Sequence, residues 1–176
     1  KLKEANMRSS NKSLLLTIFL SLSVISNMVA AGLQCNVDEL QAVVPSDTTI
    51  VSAEHVASPG PFCSIEGYVT TQNPGPNQGG FLLSLPEQEW NGRFFFNSVG
   101  GAAGFLQAAS ASLLVDGYAV ATTDGGHRSR SMLDWSDLKD PAKAYDIGRR
   151  SVHASSGAAQ VLTTVSYTHL RAHETS

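Results

Sequence analysis

The sequence predicts an α/β chain with a β-rich lead-in, on three observations. Residues 48–71 hold two runs rich in β-branched or alternating apolar residues. Residues 93–99 and 117–123, RFFFNSV and GYAVATT, are almost continuously apolar, the pattern of strands covered on both faces. Asp140-Pro141 then opens a long segment of helical periodicity, with Asp suited to the N-cap and Pro to the first helical position.

The elements follow in order. Val37–Val44 reads as a short helix or turn, and Thr48–Val56 as a strand. Pro59–Pro61 turns the chain into a second strand, Phe62–Thr71, where Ile65, Tyr68 and Val69 carry the apolar pattern. TQNPGPNQGG, residues 71–80, is a loop by its Pro, Gly and Asn content. Gly80–Leu85 is a third strand, Glu87–Gly92 a turn and Arg93–Val99 a fourth strand. Gly100–Gly104 precede a short helix over Leu106–Val115, and Gly117–Thr123 is a further strand. Asp124–Gly126 is a glycine-rich turn, and a polar stretch, 127–139, leads to the long helix. That helix is expected over Pro141–Leu162, with Tyr145, Gly148, Val152, Ala159 and Leu162 on its packing face. Strand, helix, strand, long helix is half of an α/β crossover architecture. No internal repeat is present.

Length and composition suit one domain or a piece of one: 176 residues, 42% hydrophobic and only 15% charged. Residues 1–31 read as upstream residues and a signal peptide. Met7 is followed by Arg8 and Lys12, an apolar run from Leu14 to Ile25, and Val29 and Ala31 at a cleavage position after Ala31. The apolar run is too short and serine-rich for a membrane anchor. Gln34 makes GLQC around Cys35 a poor lipoprotein box. The expected location is therefore secreted or periplasmic. Removing 1–31 takes away four positive charges and one negative one, moving the net charge from −3 to −6. No basic stretch is left to track phosphates, so nucleic acid is not an expected partner.

Cys35 and Cys63 are the two cysteines, and in an exported chain such a pair reads as a disulfide. Two free thiols, or partners elsewhere, are the alternatives. No CxxC or His cluster accompanies them, so metal is not expected. The last residues, 165–176 (VSYTHLRAHETS), resemble a translated transposase sequencing adapter. The expectation is a non-native tail, with the native sequence running out near Thr164 and no function assigned to His169 or His173.

The chemistry-bearing stretch is NGRFFFNSVGGAAG, 91–104, where a strand ends in glycines before a helix. Glycine permits close backbone approach, and an N–H there suits an oxygen that becomes negative when an ester carbonyl is attacked. Four motifs recur in fixed order: WNGRF (90–94), VGGAAG (99–104), DGYAVATTDGGH (116–127) and DPAKAYDIGRRSVH (140–153). Together they resemble the N-terminal part of the tannase/feruloyl esterase family, over about Cys35 to Thr164.

The resemblance implies an α/β-hydrolase sheet truncated before the nucleophile strand, residues 32–164 forming the N-terminal portion of that domain. Gly100 and Gly101 align with the family's oxyanion-hole glycines. Ser98 and Val99 stand where Gly-Asn is usual, Ala102 where an aromatic is common, Gly125 where Thr is frequent and Arg149 where Tyr is usual. These differences bear on substrate detail, not on the fold. The resemblance implies a serine nucleophile in a Cys-Ser-x-Gly-Gly turn after the long helix, with the acid and base later still. The resemblance also implies a lid domain, often calcium-bearing in the family, between nucleophile and acid, so no cofactor is expected in this segment. The implied parent hydrolyses small-molecule or plant-derived aromatic esters, and the chain by itself is expected to be inactive.

A local triad from Ser129, Asp124 and His127, or with His153, is not expected, because neighbours on one loop rarely reach triad geometry. Asp124, His127 and His153 read instead as buried, hydrogen-bonded polar residues, and Trp90 and Trp135 as packing residues. Two rival readings remain: an exported, non-catalytic binding or structural module of the same fold, and a β-rich adhesin-like module without the long helix.

Overall fold

The structure, a computed structural model, describes residues 35–171, with side chains through Thr168. The expected leader, 1–31, lies outside the described residues, as do 172–176. Helix α1, Val37–Val43, starts where the Asn36 side chain accepts from the N–H groups of Asp38 and Glu39. Four strands come next: β1, Thr48–Val56, β2, Phe62–Thr71, β3, Asn77–Pro86, and β4, Phe94–Ser98. Helix α2, Ala111–Val115, leads to β5, Ala119–Thr123. A 3-10 turn, Ser136–Lys139, precedes α3, Pro141–Tyr145; a π turn, Asp146–Arg150, then joins α3 to α4, Ser151–Arg171.

The five strands form one mixed sheet in the order β1-β2-β3-β5-β4. The first three form an antiparallel meander, β5 adds antiparallel to β3, and β4 pairs parallel to β5. The period-2 alternation of β2 shows why. Cys63, Ile65 and Val69 point to one face and are buried, while Ser64, Glu66 and Tyr68 point to the other and are half-buried. Ile65, Leu83, Ala121 and Phe96 form one row across the sheet. Helix α4 lies over that face, contacting β2, β3, β5 and β4 through Ala158, Ala159, Leu162 and Tyr167. Small residues on the helix let it come close to the strands. Cys35 and Cys63 form a disulfide that ties the segment before α1 to β2.

Four expectations are corrected. Among the described residues RFFFNSV is covered on one face: Phe94 and Phe96 pack against the core, and Phe95, on the other face, is 41% exposed. Residues 77–79 are not loop but extend β3, despite their composition, because β2 offers a complete antiparallel ladder as far as Thr71 opposite Asn77. The short helix begins at Ala111 rather than Leu106. The Gln107 carbonyl accepts from the Thr122 hydroxyl instead of from a helical N–H.

The long helix is two helices and runs on to Arg171. Asp140 caps it as expected, accepting from Ala142 and Lys143 N–H with Pro141 next in the chain. The π turn inserts an extra residue and rotates α4 by about 100° relative to an unbroken helix. The buried face is therefore Ser151, Ser155, Ala158, Ala159, Leu162 and Tyr167. Tyr145, Gly148 and Val152, expected on it, are exposed.

Candidate functional site

The glycine loop begins where β4 ends, at the C-terminal end of a strand parallel to its neighbour, the usual place for a site in an α/β sheet. Gly101 has φ +64°, a left-handed conformation that favours glycine, and a Cβ there would lie 2.8 Å from the Met132 carbonyl oxygen. Gly100 and Gly101 are exposed, and their N–H groups donate to no described residue. Immediately downstream the loop is fixed. Ala102 N–H donates to the Met132 carbonyl at 2.9 Å, and Gly104 and Ser129 exchange both backbone hydrogen bonds, at 2.7 and 3.0 Å. Residues 127–132 thus run beside the glycine loop as an irregular segment, joined to it by one isolated bridge between Gly104 and Ser129. Ala102 and Ala103 are buried under it.

The loop after β5 supplies the buried polar groups. Asp124 Oδ1 accepts from the N–H groups of Gly80 and Gly126, each at 2.9 Å. Burial pushes its carboxyl above the usual range; the two N–H bonds and nearby Arg128 and His127 pull it partly back. Thr123 Oγ1 donates to the Gly80 carbonyl at 2.7 Å and accepts from Gly125 N–H at 3.2 Å. His127, 5% exposed, sets its Nε2 2.9 Å from the Ala102 carbonyl. A carbonyl only accepts, so the proton sits on Nε2, and the buried Nδ1 has no partner.

A second network locks the turn between β2 and β3 onto the π turn. Asp146, fully buried, receives Arg150 Nε at 2.5 Å, Thr71 Oγ1 at 2.6 Å and Asn77 Nδ2 at 2.7 Å. Arg150 also donates to the Pro74 carbonyl at 2.8 Å and to the carbonyl of Gln72. Asn77 Nδ2 reaches the Gly126 carbonyl at 2.7 Å, which joins this network to the loop after β5.

The structure brings Gly100, Gly101, Asp124 and His127 to one end of the sheet. It assembles no triad there: His127 bonds Ala102, and Ser129 Oγ donates to the Ser131 carbonyl. His153 and Trp135 were expected to be buried; both are exposed, His153 because it lies on the outer side of α4 after the π turn. Trp90 does pack, stacked on Tyr167. Among the described residues there is no cluster of three His, Cys, Asp or Glu side chains fit to hold a metal ion, and no helix is long and apolar enough to cross a membrane. A cleft of about 380 Å³ opens beside Gly104, lined also by Phe105, Leu106, Ser129, the basic Arg128 and Arg130 and the acidic Glu66 and Asp124.

The sequence reading missed Met132, the 127–132 segment beside the glycine loop and the Asp146–Arg150 pair. The pair had a signal, an acid and a base four residues apart. The 127–132 segment had none, because its bonds to the glycine loop are made by backbone atoms that any residue type supplies.

The family pattern for tannase and feruloyl esterase matches residues 63–175. An uncharacterised esterase of Xanthomonas campestris pv. campestris is 29% identical over 95% of this chain, which spans 31% of that protein. Among solved structures, an esterase from Aspergillus oryzae matches at TM-score 0.64 and 21% identity, covering 77% of this chain and 30% of its own. Feruloyl esterase B from the same organism matches at 0.61 and 21%, covering 73% and 28%. The tannin acyl hydrolase of Aspergillus niger matches at 0.58 and 18%, covering 77% and 29%. This chain therefore shares its fold with a part of such esterases, spanning about 30% of their length, and it belongs to the tannase and feruloyl esterase family.

Proposed function

We propose that this chain is the N-terminal part of a secreted serine carboxylic-ester hydrolase acting on aromatic-acid esters of the feruloyl or galloyl type. The single observation that carries the reading is the pair of uncommitted, exposed N–H groups at Gly100 and Gly101, on a loop whose downstream residues are pinned. Donors fixed before the reaction suit an oxygen whose charge develops only during it. The serine, its base and its acid belong to sequence beyond this chain, which alone is inactive. In the parent, the serine oxygen attacks the ester carbonyl as histidine takes its proton, and the carbonyl oxygen becomes negative against the Gly100 and Gly101 N–H groups. Collapse expels the alcohol, which takes the proton from histidine. Water then repeats the sequence on the acyl-enzyme and releases the acid. The cleft beside Gly104 presents exposed Phe105, two guanidinium groups and the carboxylates of Glu66 and Asp124, and this mixed aromatic and polar lining suits an aromatic acyl group bearing polar substituents.

The test is hydrolysis of methyl ferulate and methyl gallate by the full-length protein and by its Gly101→Ala variant. Alanine keeps the N–H but strains the φ of +64° and crowds the Met132 carbonyl, so the donor is displaced. We expect a fall in kcat of up to about 10²–10³-fold, which is what loss of one oxyanion donor costs. An unchanged kcat in a folded variant rejects the role of the loop. N-terminal sequencing of the exported protein is expected to begin at Gly32.

The alternative reading is a non-catalytic exported module of the same fold. It predicts no turnover of either ester by the full-length protein.

A further inference from the structure

We infer that His127 is a positioning residue for this reaction: its Nε2–H holds the Ala102 carbonyl and thereby fixes the conformation of the adjacent Gly100-Gly101 donors. The inference rests on the esterase reading above. Two consecutive glycines have the widest choice of backbone conformations, so their N–H groups stay aimed only if the chain beyond them is held. Ala102 is that anchor. Its N–H is bonded to Met132 and its carbonyl to His127, so the residue is fixed at both ends. The other bonds holding the loop, through Met132 and Ser129, are made by backbone atoms. Among the described residues His127 supplies the one side-chain bond at this anchor, and so the one that substitution can remove selectively.

The other ring nitrogen points the same way. Nδ1 is buried without a partner. An apolar side chain would fill this space without leaving a buried acceptor unmet. The imidazole does something here that packing alone does not require, and its one bond goes to the anchor of the glycine loop. The unmet Nδ1 also keeps the proton on Nε2, where the bond needs it.

The test compares two amides in the full-length enzyme. Glutamine places its amide nitrogen near the position of Nε2, and asparagine places its own near Nδ1, short of Ala102. For methyl ferulate hydrolysis we expect His127→Asn to lower kcat by about 10–100-fold with KM within about 3-fold. His127→Gln is expected to recover most of that loss. Equal kcat values for the two variants, or losses that track only the fraction of folded protein, overturn the inference. If neither variant folds, imidazole ¹⁵N spectra of the unmodified protein decide. A protonated Nε2 with a bare Nδ1 supports the bond to Ala102, and the opposite tautomer overturns it. Labelling by a serine-directed fluorophosphonate separates the two failures. An active, labelled enzyme with equal variants removes the role of His127 alone. A full-length protein that neither turns over nor is labelled removes the esterase reading, and the role of His127 with it.

Discussion

Tyr167 lies flat on Trp90, with ring centroids 4.0 Å apart and planes 7° from parallel, and its hydroxyl donates to the Pro86 carbonyl at 2.7 Å. The stack joins the last part of α4, within the 165–176 stretch expected to be a non-native tail, to the turn between β3 and β4, so its contribution is a property of this 176-residue chain. Tyr167 is 4% exposed, and burial pushes its phenol above its ordinary range. Tyr167→Ala should cost about 3–5 kcal/mol, as expected for removing a buried aromatic, and Tyr167→Phe about 1 kcal/mol for the lost hydrogen bond. Urea unfolding measures both. Equal losses would mean that the ring contributes nothing beyond its hydroxyl.

Arg150 and Asp146 give the second prediction. Arg150→Ala leaves a fully buried carboxylate without its cation, which costs about 3–5 kcal/mol. Asp146→Asn in the same background removes the stranded charge and should restore part of that loss. Chemical denaturation of the single and double variants reads the coupling. Strictly additive effects would show that the ion pair does not act as a unit.

Asp124 makes stability depend on pH. Its carboxyl is raised in the folded protein, chiefly by burial, so folding favours the protonated form. The benefit is complete below the ordinary carboxylate range, near 3.8, and is lost as pH rises through the higher folded value. Asp124→Asn keeps an acceptor for Gly80 and Gly126 without the charge. Its melting temperature should gain on the unmodified protein as pH goes from about 4 to 7. A gap that widens on acidification would contradict the sign.

The Cys35–Cys63 disulfide closes a loop with a sequence separation of 28. Removing it by Cys35→Ala and Cys63→Ala together should cost roughly 3–4 kcal/mol by the loop-entropy estimate. Thermal melts with and without reductant check this, and reductant should leave the double variant unaffected.

Much of the fold was legible because the signals were local. Both ends of β1 and β2 are set by β-branched runs bounded by Pro and Gly, and Asp140 caps its helix as Asp-Pro predicts. The failures came from distant partners. Asn77–Gly80 looks like loop until β2 offers its ladder. Val152 looks buried until the π turn, invisible to a 3.6-residue period, rotates the helix beyond it. At the site, Gly100 and Gly101 stood out by composition. The role of Met132 is that of a backbone carbonyl, and any residue type supplies one. His127 was noticed as a buried polar residue, but its bond to Ala102 spans 25 residues and no sequence pattern encodes it.

The strand order bears on how the protein emerges from a ribosome. β4 is made before β5, yet β5 lies between β4 and the rest of the sheet. The meander of β1, β2 and β3 assembles from neighbours as they appear. Phe94, Phe95 and Phe96 must wait, unpaired, until some twenty further residues have been made and β5 has docked. Translation at about 5–20 residues per second makes that wait on the order of seconds. Through it, three consecutive phenylalanines are open to chaperones, and to other chains in the same unfinished condition.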